Sequence, residues 1–189
     1  SKLPPQAQTW VNQKLKYTHG YGVAMSPVNE VTAEGLPTFY IKNIPPESSI
    51  ESLTLVHPEI YYGEETNDYV IVNTKTSEFN YPMGEHNIES VYQAVSGVQL
   101  SSIFRRVMFA MAFGDYKLLL SHDLTPNSQI LYNRNIHERV RKVAPFLRYD
   151  YDPYPVVSGG KVYWIQDAYT VSSLYPYSEP TEGWGNYVR

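Results

Sequence analysis

Prolines divide the chain into short segments, and this division limits the fold more than any other feature of the sequence. The prolines that mark the joints are Pro4, Pro5, Pro45, Pro46, Pro58, Pro82, Pro126, Pro145, Pro153, Pro155, Pro176 and Pro180. A proline removes a backbone donor from a helix or sheet, and it biases the residue before it away from helical geometry. The sequence therefore predicts short elements joined by turns.

Short strands are predicted in the first hundred residues and in the last forty. Residues 36–42 and 69–73 are rich in β-branched and aromatic side chains, which favour strands. Near the end of the chain, residues 156–157 and 161–165 flank Ser158-Gly159-Gly160. The two glycines can adopt the positive φ angles of a tight turn, so this segment predicts a β-hairpin.

Two helices are predicted in the middle of the chain, over about residues 101–120 and 128–144. Ser101 or Ser102 can cap the first helix. At about 100° per residue, the apolar side chains of Val107 to Phe113 point all the way round this helix. Such a distribution predicts that the first helix is almost wholly buried.

The second predicted helix has one apolar stripe, which contains Ile136, and a polar face. Arg139 borders the stripe, so we expect its guanidinium to find a carboxylate or carbonyls in the segment 150–167. The alternative is that Arg139 extends to water. Arg134 and Arg141 fall well away from the stripe and are expected on the solvated face.

Strands followed by two helices and a hairpin predict an α+β fold, in which both helices pack on one mostly antiparallel sheet. The length of 189 residues predicts a single domain over residues 1–189. The chain begins without Met and ends at Arg189, so we expect it to be a fragment of a larger protein.

Composition excludes several functional classes. The net charge of −4 argues against binding nucleic acid. The absence of cysteine excludes thiol nucleophiles, disulfides and thiolate metal sites. The longest unbroken apolar run, Val107 to Phe113, is far shorter than the ~20 residues that span a bilayer, so the chain is expected not to be embedded in a membrane.

The five histidines have no metal-binding spacing, and no phosphate loop or nucleophile elbow is present. The sequence therefore predicts no metal and no cofactor.

The string Tyr17-Thr18-His19-Gly20-Tyr21-Gly22 is the most unusual in the chain. Its glycines permit close backbone approach, and a histidine titrates near neutrality. One interpretation is a binding or proton-transfer loop that uses Tyr17, His19 and Tyr21, with Asp167 as a carboxylate partner of His19. The other, which we favour, is a tight turn whose aromatic side chains pack inward.

A second candidate binding surface is aromatic. Tyr163, Trp164 and Tyr169, followed by Tyr175 and Tyr177, could stack on sugars or peptides. Tyrosine and tryptophan also fill protein interiors while their polar tips are satisfied. Interior packing is the favoured interpretation, since the chain has only 6 Phe against 18 Tyr.

Several strings in one order resemble the uncharacterised protein family 0182 of large bacterial membrane proteins. The strings are Tyr17 to Gly22, Gly35 to Pro46, Ile60 to Glu64, Glu78 to Pro82, Arg134 to Leu147, Asp152 to Pro155, Tyr163 to Thr170 and Tyr175 to Ser178. The resemblance covers nearly the whole chain. It departs from the family at Asn80, where the family has Asp more often.

The resemblance implies N-terminal membrane helices, which are missing here, and a long region outside the cytoplasm to which this chain would belong. It implies no activity. Three functions therefore stay open: an extracytoplasmic interaction or sensing module, an envelope hydrolase that uses His19 with a carboxylate, and a purely architectural fragment. Expected partners are the remainder of the parent membrane protein and envelope proteins or polymers.

Overall fold

The computed structural model describes residues 8–172, 174, 179–181 and 185–188. One turn of π-helix, Asn12–Lys16, and one 3₁₀ turn, Glu51–Leu53, accompany the helices α1 Ile103–Phe113, α2 Lys117–Leu120 and α3 Ile136–Val143. The strands are β1 Gly20–Tyr21, β2 Ile41–Lys42, β3 Glu47–Ser48, β4 Glu59–Ile60, β5 Val70–Val72, β6 Glu78–Met83, β7 His86–Ser90, β8 Val98–Gln99, β9 Gln129–Leu131, β10 Arg148–Tyr149, β11 Tyr154–Ser158, β12 Lys161–Ile165, β13 Ala168–Val171, β14 Glu179–Thr181 and β15 Gly185–Val188.

The chain divides into two compact units, each made of two stretches of sequence. The first unit contains Ser1–Tyr21 and Asp68–Tyr132, and the second contains Gly22–Asn67 and Asn133–Arg189. Helices and antiparallel strands occur in both, so the predicted α+β class is confirmed.

The first unit is built on a three-stranded antiparallel sheet in the order β5-β9-β8, with Ile71 opposite Ile130. A separate hairpin pairs β6 with β7. Apolar side chains from the π-helical turn, the sheet and α2 form one fully buried cluster that includes Leu15, Ile71, Leu118 and Ile130. This cluster is the hydrophobic core of the first unit.

The second unit contains several small antiparallel sheets. The predicted hairpin is present as β11–β12, with Ser158 opposite Lys161, and its turn glycines have φ angles of 56° and 76°. A second hairpin pairs β2 with β3, and a four-stranded sheet has the order β10-β13-β15-β14. The structure therefore has several small sheets in place of the single sheet that was expected.

The two predicted helices are each shorter than expected. The first is interrupted at Gly114, whose φ of 64° suits glycine and ends α1 before α2 begins. Within the second prediction, residues 129–131 form the buried strand β9, which pairs with β5 and β8. The helix begins only at Ile136. The residue before it, Asn135, is the N-cap, and its side chain accepts a hydrogen bond from the Glu138 amide.

The prediction that Val107 to Phe113 is almost wholly buried is wrong. Ala110 is buried, whereas Met108, Met111 and Phe113 are substantially exposed. Apolar residues on every side of a helix show that no side carries charge. They do not show that another part of this chain packs against every side.

Candidate functional site

The strongest polar site lies in the first unit, where the chain leaves the π-helical turn. The Tyr17 amide donates to the Asn12 carbonyl over 2.8 Å and closes this turn. Leu15, within the turn, and Thr18, two residues after it, are both fully buried. The turn therefore carries Thr18 and His19 into the interior, against β6.

Four side chains make this site, which we call the His19 cluster: Thr18, His19, Glu78 and Asn80. The Thr18 hydroxyl donates to Glu78 Oε2 over 2.5 Å and lies 2.9 Å from His19 Nδ1. His19 Nδ1 is 3.7 Å from Glu78 Oε2, and Nε2 is 3.2 Å from Asn80 Oδ1. Both ring nitrogens of His19 therefore face polar groups.

Thr18 lies at the centre of these contacts. Its hydroxyl donates to Glu78 Oε2, and the same oxygen lies within hydrogen-bond distance of His19 Nδ1. Thr18 thus joins His19 to Glu78 through a continuous chain of hydrogen bonds, which fixes the orientation of the imidazole ring.

Burial limits what the His19 cluster can do. The side chains of His19 and Glu78 are 0% and 3% exposed, and Thr18 is fully buried. A general acid or base must come within hydrogen-bond reach of its substrate, and these groups are enclosed by the protein. The arrangement favours a structural role, in which the cluster ties the segment before β1 to β6.

Tyr17 and Tyr21, which were predicted to bind a ligand, both contact aromatic side chains of β6. The ring centroids of Tyr17 and Phe79 are 5.2 Å apart, and those of Tyr21 and Tyr81 are 4.8 Å apart. These contacts place both rings against β6, the strand that carries Glu78 and Asn80. The role of the two tyrosines in binding stays a prediction.

The remaining predicted binding residues lie in the second unit. Asp167 is exposed, and its carbonyl accepts from the Asp150 amide over 3.0 Å. Trp164 is half-buried on β12 and lies beside Gly63. The carboxylate that contacts His19 in the first unit is Glu78; the pairing of His19 with Asp167 stays a prediction. Tyr175 and Tyr177 lie outside the described residues.

Of the three arginines near α3, Arg141 is exposed as predicted, and the exposure of Arg139 fits the alternative that it extends to water. The predicted partner segment of Arg139 and the predicted exposure of Arg134 are wrong. Arg139 is exposed, with its guanidinium 4.6 Å from the centre of the Tyr62 ring and Nη1 donating to the Asn133 carbonyl over 3.4 Å. Arg134 is only 5% exposed, and its Nε donates to the Tyr61 carbonyl over 2.7 Å. Arg134 precedes the first residue of α3, so the helical angles used for the prediction do not apply to it.

A second polar cluster in the first unit was missed by the sequence reasoning. Asp115 Oδ2 accepts from Trp10 Nε1 over 2.7 Å and from the Tyr69 hydroxyl over 2.5 Å. Burial acts to raise the pKa of Asp115, but these two hydrogen bonds, together with the Lys117 amide and the positive charge of Lys117, outweigh it and hold that pKa below its usual value. Burial and the Asp115 contact raise the pKa of Tyr69.

One signal in the sequence could have indicated part of the His19 cluster. Glu78 and Asn80 are two residues apart, a spacing that in a regular strand places side chains on one face, although the register of β6 shifts between Phe79 and Tyr81. No comparable signal exists for Trp10, Tyr69 and Asp115, because Trp10 and Asp115 are 105 positions apart. Tertiary folding alone brings them together.

Two further findings concern metal sites and membrane-spanning helices in the part of the chain that the structure describes. No group of three or more His, Asp or Glu side chains is arranged to hold a metal ion there. In the same part of the chain, no helix has both the length and the apolar character needed to cross a membrane.

Comparison with known proteins identifies the family. The chain is 58% identical over 190 residues to a UPF0182 protein of Desulforamulus reducens, covering 100% of this chain and 20% of that protein. It is 57% identical over 187 residues to a UPF0182 protein of Pelotomaculum thermopropionicum, covering 99% and 20%. A UPF0182 protein of Moorella thermoacetica is 54% identical over 191 residues, covering 100% and 21%.

The chain thus spans about a fifth of the length of these curated relatives. No solved structure matches it. The family model described as "Uncharacterised protein family (UPF0182)" matches residues 1–189. This match over the full chain, together with the identities to these relatives, shows that the chain belongs to the uncharacterised protein family UPF0182.

Proposed function

We propose that this chain is an interaction or sensing module in the extracytoplasmic region of a larger membrane protein. The observation that carries the proposal is the outer face of α1, where large apolar side chains are exposed on a helix with defined caps at both ends. Contiguous apolar surface on a folded element is typical of a surface that binds another surface.

The family supports the first part of the proposal. A chain that spans about a fifth of its relatives is a part of a longer polypeptide in those proteins, so its surfaces have neighbours that are outside this structure. The resemblance to large membrane proteins supports the location outside the cytoplasm, and the cysteine-free composition suits an oxidising compartment as well as a reducing one.

The His19 cluster also favours an interaction module over an envelope hydrolase. A hydrolase needs its acid and base at a surface that the substrate reaches. The cluster pairs His19 with a carboxylate, as that alternative requires, but both side chains are enclosed. Its geometry supports a rigid scaffold that presents a surface elsewhere.

The location can be tested with a single cysteine in the full-length protein, after any cysteines outside this segment have been replaced. Val95 is almost fully exposed, so Val95→Cys offers an accessible thiol without disturbing the core. We expect a membrane-impermeant maleimide to label this thiol in intact cells. Labelling that occurs only after the cells are broken would contradict an extracytoplasmic location.

The interaction can be tested with a photo-crosslinking amino acid at one site at a time. Position 104 lies on the outer face of α1, and position 95 is equally accessible but lies outside it. We expect crosslinks from position 104, either to another protein or to a distant peptide of the same chain, and few from position 95. If position 104 forms no crosslink of either kind, the proposed function is wrong.

A further inference from the structure

We propose that the outer face of α1 is covered by the remaining polypeptide of the same molecule, outside this chain of 189 residues. The inference rests on the proposed function and names the partner of that surface. We call Phe104, Met108 and Met111 the outer stripe.

Helical geometry places the outer stripe on one side of α1. Its members have the spacing i, i+4 and i+7, which aligns side chains along one face. Phe104, Met108 and Met111 are 70%, 48% and 66% exposed. The opposite side packs inward, where Ala110 is buried and Phe109 lies against Phe113 and Tyr132. The helix therefore has a covered apolar side and an uncovered one.

The helix that carries the stripe is well defined at both ends. The Ser102 hydroxyl accepts from the Arg105 amide over 3.3 Å, and the Gly114 amide reaches back to the carbonyls of the last turn. A helix with both caps loses little further entropy when a surface docks on it. The stripe is thus a preorganised binding surface.

The area of the stripe argues against a second copy of the chain as its occupant. Three large side chains at this exposure offer roughly 300–400 Å². A stable interface between proteins buries about 800 Å² on each partner. The stripe falls well below this size, so another copy or a separate protein would need extra contacts to bind.

A tethered partner does not face that requirement. A segment of the same polypeptide is present at an effective concentration on the order of millimolar, which raises the occupancy of a small surface. Relatives carry about four-fifths of their length outside this segment, so polypeptide is available for the purpose. Small apolar contacts between parts of one chain are sufficient under these conditions.

The residue types in the outer stripe and around it indicate what kind of segment would cover it. Two of its three members are methionines, whose flexible side chains adapt to an irregular apolar partner. Of the two charged residues of α1, Arg106 turns inward and donates to the Leu100, Leu124 and Thr125 carbonyls, whereas Arg105 is exposed. The covering segment should therefore be apolar and neutral or acidic, with no basic residue beside Arg105.

Methionine oxidation in the purified full-length protein tests this assignment. Hydrogen peroxide oxidises accessible methionine to the sulfoxide, and mass spectrometry gives a rate for each site. Each rate is divided by the rate of the same site in the unfolded protein. Met83 serves as the matched control, since it is 56% exposed in the same unit but lies on β6.

We expect Met108 and Met111 to be protected about tenfold or more in the monomeric full-length protein, while Met83 reacts within about twofold of its unfolded rate. Equal reactivity at all three sites, in cells and after purification, would overturn both this inference and the interaction function. Protection that disappears on dilution would assign the stripe to a second copy. Protection in native membranes that is lost on purification would assign it to a separate protein or to lipid. Either of these last two results overturns the inference and leaves the interaction function standing.

Discussion

Arg134 lies just before the first turn of α3, and this position decides its environment. The side chain is buried and its Nε donates to the Tyr61 carbonyl. Arg139, one turn into the helix, is exposed and lies over the Tyr62 ring. Two arginines five positions apart therefore make very different contributions to stability.

We expect Arg134→Ala to lower the free energy of unfolding by about 2–4 kcal/mol, because it removes a buried charge-assisted hydrogen bond and leaves a polar acceptor without it. Arg139→Ala should cost about 0.5–1 kcal/mol, the value of an exposed cation–π contact. Chemical denaturation of both variants measures the difference, with Arg141→Ala as a control on the exposed face. A larger loss for Arg139 than for Arg134 would show that this assignment of burial is wrong.

Thr18 holds the centre of the His19 cluster through one hydroxyl group. Thr18→Val keeps the shape of the side chain but leaves the buried Glu78 and His19 without their bridge, so it should lower stability by about 2–3 kcal/mol. Thr18→Ser keeps the hydroxyl and should cost about half as much, through lost packing alone. Thermal unfolding distinguishes the two, and equal losses would mean that the hydroxyl bridge does not stabilise the fold.

Asp115 makes the stability of the first unit depend on pH. Its pKa is held below the usual 3.8 in the folded protein. The unfolded state therefore binds a proton first as the pH falls, and the stabilisation by Asp115, complete above about pH 4, is lost below it. We expect Asp115→Asn to flatten the fall in stability below about pH 4. Glu85→Gln, at an exposed turn, is the control, and an unchanged acid limb in Asp115→Asn would count against the coupling.

At the scale of elements, the sequence offers two possible N-caps for α1, and only the structure shows which serine is used. The sequence allows Ser101 or Ser102 to cap the helix, whereas the structure places the Ser102 hydroxyl on the Arg105 amide. We expect Ser102→Ala to lower stability by about 1 kcal/mol and Ser101→Ala to change it by less than about 0.3. Comparing the melting temperatures of the two variants tests this, and the reverse order would move the helix start by one residue.

Elements whose geometry depends on neighbouring residues were predicted well. The β11–β12 hairpin is confirmed because Gly159 and Gly160 supply the turn geometry themselves. The strand β9 was missed because its three residues are strand only through pairing with β5 and β8. A short apolar run does not reveal whether it will pair in a sheet or continue a helix.

At the scale of the whole molecule, the Met108→Lys substitution should affect the stability of the isolated chain and of the full-length protein differently. The sequence predicts that Met108→Lys prevents expression, on the assumption that α1 is buried. With the side chain half exposed, we expect this substitution to change the stability of the isolated chain by less than about 0.5 kcal/mol. A covered stripe in the full-length protein would make the same charge cost several kcal/mol.

Expression and denaturation of Met108→Lys in both contexts measure that contrast, and Val95→Lys is the control for an added surface charge. A severe loss in the isolated chain would show that the outer stripe is covered within these 189 residues. Equal tolerance in both contexts would mean that the stripe stays exposed in the whole protein.

The sequence by itself determined the α+β class, the family, the C-terminal hairpin and the approximate positions of α1 and α3. The class, the hairpin and the helix positions depend on periodicity, turn chemistry and capping, which act over a few residues, whereas the family was indicated by the resemblance of several strings in one order. Only the tertiary structure decided that Glu78 contacts His19, that Asp115 joins Trp10 to Tyr69, and that one face of α1 is exposed. Contacts between distant residues depend on how the whole chain packs, and burial depends on which surfaces find a partner.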